Sequence, residues 1–113
     1  MVSYKADEVG VPDDSALAHG EGWLFFGWAD PVYGREGLTI DLDGHCSRRM
    51  PIRSGQGPPD FMDLQRDRIR LRFDPALARN LEFDEEIEIT FAVSDANYSQ
   101  LRKVFNLFNG VDP

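Results

Sequence analysis

Three stretches of the chain alternate apolar and polar residues with a period of two, the pattern of strands that bury one face. In RIRLRF, Ile69, Leu71 and Phe73 alternate with Arg68, Arg70 and Arg72. In EIEITFAV, Ile87, Ile89, Phe91 and Val93 alternate with Glu86, Glu88 and Thr90, and in GLTIDLDG, Leu38, Ile40 and Leu42 alternate with Thr39, Asp41 and Asp43. A fourth stretch, GWLFFGWAD, is aromatic-rich, bounded by glycine and an Asp-Pro pair, and reads as a buried strand. FMDL, QRD and RIRLRF together predict a hairpin. Residues 4–11 predict a first edge strand, ended by the turn-forming PDDS. RSGQGPP, residues 53–59, reads as an exposed, mobile connection.

Elsewhere the period is helical. Asp74 and Pro75 supply an N-cap and a first helical position for the short helix PALARNL. Tyr98, Leu101, Val104, Phe105 and Phe108 form one apolar stripe on a final helix, capped by Ser94 or Asp95 and stopped by Gly110. Such a stripe is the core-facing side of an amphipathic helix. Strands first and helices late predict a single α+β domain over residues 1–113. Its sheet is expected to be curved and mainly antiparallel, with about five or six strands, one short helix, and the C-terminal amphipathic helix across one face.

Charge narrows the partners. The chain carries a formal net charge of −8 and a sequence pI near 4.6, which repels phosphate backbones and anionic lipid. Nucleic acid and membrane surfaces are therefore poor partners, whereas a basic protein would be steered toward it. The same charge also serves solubility. Cys46 is the single cysteine, so no internal disulfide can form. The first twenty residues hold several acids and no sustained apolar run, unlike a secretory signal, and residues 23–26 are too short an apolar run to span a bilayer. A cytoplasmic location is the expectation.

The densest chemistry lies in TIDLDGHC, residues 39–46. Asp41, Asp43 and His45 would share one face of a regular strand, and that spacing raises a metal site. Asp43-Gly44 is, however, a favoured turn pair, expected to turn His45 away from both acids. One cysteine and two histidines in the whole chain are few for a zinc site. A solvated polar face running into a turn is the favoured reading. His45 and Cys46, as strand neighbours, point to opposite faces and form no dyad, so Cys46 reads as a buried inert thiol. No phosphate loop or nucleophile elbow is present, so neither an enzyme class nor a cofactor is expected. Arg68, Arg70 and Arg72 are expected to pair across strands with Glu86 and Glu88, leaving acids over on a charged sheet face.

LQRDRIRLRFDPALARNLEFDEEIEITFAVSDANYSQLRKVFNLF, residues 64–108, resembles the C-terminal part of a bacterial polymorphic-toxin immunity protein family, the one numbered ten among immunity proteins. The shared pattern is a hairpin, a short helix opened by Asp-Pro, an acid-flanked strand and a closing amphipathic helix. LTIDLDG resembles that family's strand leading into the hairpin. Where the family carries a short aromatic-glycine-glycine segment, this chain has the longer RRMPIRSGQGPPDF, residues 48–61. The resemblance implies a small cytoplasmic protein that binds and neutralises a cognate toxin without chemistry of its own. Asp41, Asp43, Glu86 and Glu88, with residues 53–59 beside them, are the expected partner contacts. Two alternatives stay open: a small metal-binding protein or Cys/His enzyme centred on residues 41–46, and a homo-oligomeric structural module that self-associates through the aromatic strand.

Overall fold

The alternating stretches become strands where the pattern places them, but they divide between two sheets. The computed structural model describes residues 2–48 and 53–108. Among these, one sheet has the strand order β1 (Val2–Lys5), β9 (Glu86–Thr90), β8 (Arg68–Arg72), β7 (Phe61–Leu64). The other has the order β2 (Glu8–Gly10), β3 (Trp23–Asp30), β4 (Gly34–Asp41), β5 (His45–Arg48), β6 (Arg53–Gln56). All pairings are antiparallel except β1 with β9. The fold is α+β with mostly antiparallel sheets, two short helices and a C-terminal helix, and the nine strands among the described residues exceed the five or six expected of a single sheet.

Each sheet turns its apolar phase toward the other. Leu24, Phe26, Leu38, Ile40 and Cys46 from one meet Ile69, Leu71, Ile87 and Ile89 from the other in a single buried cluster. Ring contacts bridge the gap: Tyr4 to Trp28 at 4.6 Å between centroids, and Phe26 to Phe91 at 5.8 Å. Offset aromatic pairs of this kind add about 0.5–1.5 kcal/mol beyond the area they bury.

The single edge strand expected over residues 4–11 is two strands, one in each sheet. The amide of Ala6 donates to Thr90 in the first sheet, and the next amide, Asp7, donates to Gly27 in the second. Ala6 is buried where the chain crosses between them. PDDS, expected as a turn, opens a helix, α1 (Asp14–Ala18), with the Asp13 carboxylate accepting from the amide of Ala16.

The other helices follow their sequence signals. α2 (Pro75–Leu81) has Asp74 as its N-cap, accepting from the amides of Ala76 and Leu77, and ends on Glu82 in the left-handed region at φ 56°. α3 (Asp95–Phe108) is capped by Ser94, whose Oγ accepts from the amide of Asn97. Its Leu101, Val104 and Phe105 are buried, and Tyr98 and Phe108 pack against the core. Gly110, expected to stop it, lies outside the described residues. Among the described residues no helix is long and apolar enough to cross a membrane.

The stretch expected as a mobile loop is corrected most clearly. Residues 53–56 are the edge strand β6, in register with β5 from Arg48↔Arg53 to His45↔Gln56. The glycine that suggested a loop serves packing: a Cβ on Gly55 would lie 2.6 Å from Leu77 Cδ1 of α2. A helix therefore rests directly on the strand, and this is the second use of a strand glycine. Pro59 is buried as well.

Candidate functional site

β4 and β5 are joined by the turn Leu42–Asp43–Gly44. The Gly44 amide donates to the carbonyl of Asp41, and Gly44 itself sits at φ 89°, where residues with a Cβ are strained. This is the arrangement of a three-residue hairpin loop closed by a left-handed glycine. The Asp43 carboxylate then accepts from the amide of His45 at 3.0 Å. The turn thus ties Asp43 to the backbone of His45, and His45 stays near enough to Asp41 to act on its carboxyl. Burial raises the Asp41 carboxyl above the usual carboxylate value, Asp43 raises it further, and His45 partly offsets both. The His45 ring meets the Gln56 amide at 3.2 Å. Among the described residues no group of three or more His, Cys, Asp or Glu is arranged to hold a metal ion.

Cys46 points the other way, into the core, fully buried. Burial, and then the nearby Asp41, push its thiol up to about 12. A thiol this far from ionising is a poor nucleophile at neutral pH.

Leu42 stands at the tip of the turn between two clefts. One, of about 440 Å³, runs from Asp41–Gly44 past Pro58 and Met62 to Phe108. The other, of about 430 Å³, lies between the turn and residues 20–23. Asp41 and Asp43 border both, Asp60 adds a carboxylate to the first and Glu21 to the second, and among the described residues no lysine or arginine lines either cleft. Among the described residues none of these four acids takes part in an ion pair. Several acids elsewhere do: Asp7 and Glu8 with Arg35, Asp14 with Lys103, Asp95 with Arg66.

Glu86 and Glu88 belong to a different surface. They lie on the outer face of the β1-β9-β8-β7 sheet, across from Arg72 and Arg70, as the alternation implied. The expected ladder is only partly made: Arg68 reaches Glu88 at 3.6 Å, while Arg72 sits over the Phe61 ring at 5.6 Å. Nor are acids left over on this face. Lys5, Arg68, Arg70 and Arg72 share it with Asp63, Glu86 and Glu88, so cations match or exceed acids. The structure thus groups Asp41 and Asp43 with Glu21 and Asp60, beside Pro58 and Pro59 of the 53–59 segment, and separates them from Glu86 and Glu88.

A buried ionic cluster also emerges that the alternation could have revealed. Glu36 is 0% exposed, on the core-facing phase of β4 with Leu38 and Ile40. One of its oxygens, Oε2, lies 2.8 Å from Arg53 Nη2 and 3.1 Å from Arg48 Nε. The Arg48 contact is short, but the N–H is not aimed at the oxygen, so it is an ion pair rather than a hydrogen bond. Arg48 also donates to the carbonyls of Leu81 and Glu82 at the end of α2 and lies 4.3 Å above the Phe83 ring. Arg53 bridges to the Glu82 carboxylate. A cation on the last carbonyls of a helix is favoured by its dipole. The cluster therefore clamps α2 to β4, β5 and β6. The available sign was a glutamate in the core phase of REGLTID with an arginine in the phase of Cys46.

Comparison with family models, with curated proteins and with solved structures returns no match.

Proposed function

We propose that this protein is a non-enzymatic, immunity-type inhibitor that binds and neutralises a cognate bacterial toxin domain. The observation that carries the proposal is the group of carboxylates, Glu21, Asp41, Asp43 and Asp60, around the β4–β5 turn, none of them in an ion pair among the described residues. Like charges gathered without a counter-ion raise the free energy of the isolated protein and are relieved when a basic surface covers them. The net charge of −8 supports the same partner class by steering a basic domain toward the chain. The resemblance of residues 64–108 to an immunity family supports the toxin assignment, with Asp41 and Asp43 as the contacts closest to this surface. Glu86 and Glu88 contribute less, because arginines share their face.

The test is co-expression. The C-terminal domain of a large secreted protein encoded beside this gene is induced alone and together with the chain. Restored growth with a stable co-purifying complex is the expected outcome. Growth arrest that persists at equal expression of both partners refutes the inhibitor role for that pair.

A further inference from the structure

The larger cleft combines two properties that call for one kind of occupant. Part of its lining is apolar: Leu42, Pro58, Pro59, Met62, Leu107 and Phe108 contribute, from a turn, a connecting segment and the end of α3. Phe61, 47% exposed, stands at its side. Its volume of about 440 Å³ lies within the roughly 300–1,000 Å³ of clefts that bury a compact ligand. Its lining also carries Asp41, Asp43 and Asp60, with no lysine or arginine among the described residues that line it. The frame is preformed, since Gly44 accepts from the amide of Gly57 and Asp43 holds the amide of His45.

We propose that this cleft is the seat of a basic segment of a protein partner, which inserts an apolar side chain against Leu42, Met62 and Phe108 while flanking lysines or arginines meet Asp41, Asp43 and Asp60. This deepens, and rests on, the partner-binding role proposed above. A bare cation would satisfy the carboxylates and leave the apolar side chains exposed; a neutral apolar ligand would do the reverse. A second copy docked by two-fold symmetry would set carboxylates against carboxylates, an arrangement that like-charge repulsion opposes. The raised Asp41 carboxyl fits the same picture, because Asp43 already crowds it.

The probe is the blocked pentapeptide KRWKR, titrated into the ¹⁵N-labelled full chain at low salt, with KRGKR and EEWEE as controls. Amide shifts are expected for residues 41–45, 60–62 and 107–108, stronger with KRWKR than with KRGKR and absent with EEWEE. Combined Asp41→Asn, Asp43→Asn and Asp60→Asn should weaken KRWKR at least about threefold, as loss of three exposed ion pairs implies. Asp60→Lys alone is the second variant if the triple variant unfolds. Asp84→Asn with Glu85→Gln, both exposed and away from the cleft, should leave binding unchanged. Shifts centred elsewhere, or equal affinity for the triple variant, overturn the proposal. So does a dimer in light scattering that the triple variant abolishes, since the seat would then belong to a second copy. Toxin rescue separates the two levels. Rescue by both wild type and triple variant refutes this seat and keeps the inhibitor role. Failure of rescue with intact, variant-sensitive peptide binding refutes the inhibitor role and keeps the seat.

Discussion

Replacing Glu36 by glutamine removes the carboxylate that lies between Arg48 and Arg53 while keeping nearly the same shape. The two guanidinium groups then remain close together, at 10% and 13% side-chain exposure, in a site where water cannot screen them well. Removing one partner of a buried ion pair costs about 3–5 kcal/mol. The glutamine oxygen still accepts from Arg53, and Glu82 still neutralises part of its charge from the surface, so the lower end, about 3 kcal/mol, is expected. Against a typical total stability of about 5–15 kcal/mol this is a large loss, and it lowers Tm by about 10–20 °C. Urea unfolding followed by the fluorescence of Trp23 and Trp28 measures it, with an unchanged slope showing that compactness is preserved. A companion variant, Glu36→Leu with Arg48→Met and Arg53→Leu, removes every buried charge of the cluster together. Its stability should return to within about 1 kcal/mol of wild type or exceed it, as charge-free replacements of buried ion pairs often do. A loss under about 1 kcal/mol for Glu36→Gln would refute the compensation ascribed to this carboxylate. A triple variant no better than the single one would instead place the loss in packing.

The remaining predictions concern the turn and the sheets. Cys46, its thiol pushed up to about 12 by burial, should resist iodoacetamide at pH 8 in the native protein and react rapidly in urea; equal rates would refute its burial. Gly37→Ala places a Cβ 2.7 Å from the Phe25 ring and 3.1 Å from the carbonyl of Phe26. It should therefore destabilise by about 1–3 kcal/mol, as overpacking does, read as a lower urea midpoint. Gly44→Ala forces a Cβ residue to φ 89° and should cost about 1–2 kcal/mol in the same assay. Asp41, raised above its usual 3.8 by burial and by Asp43, binds its proton more readily when folded. Its stabilising contribution is therefore complete below pH 3.8 and is lost as pH rises through the higher folded value. Asp41→Asn should accordingly raise the urea midpoint at pH 7, by under about 0.5 kcal/mol after solvent screening, and bring no gain at pH 3; a gain at pH 3 that matches the one at pH 7 would refute the cause.

Much of the local structure was legible in the sequence because local interactions decide it. Asp74-Pro75 set the start of α2 through capping and a preformed φ, and Ser94 the start of α3. Strict alternation placed Ile69, Leu71, Ile87 and Ile89 inside and their charged neighbours outside. Asp43-Gly44 marked its turn for the same reason, since only certain residues suit a left-handed position. The site was half legible. Asp41 and Asp43 were visible as polar strand and turn residues, but Glu21 and Asp60 join them only through folding across distant segments.

Tertiary structure alone decided what each apolar face met. A period of two says that one side of a strand is buried, without saying whether a helix or a second sheet buries it, and here two sheets cover one another. It decided that Gly55 belongs to a strand, because the glycine answers to Leu77 of a helix that follows twenty residues later. It decided the pairing of Glu36 with Arg48 and Arg53, since a charge in a core phase becomes tolerable only when its partners arrive from other strands. Finally, it decided that arginines accompany Glu86 and Glu88, while the acids at the β4–β5 turn take part in no ion pair among the described residues. Sequence fixes the sum of charge at −8, but where that charge goes uncompensated depends on which surfaces the fold brings side by side.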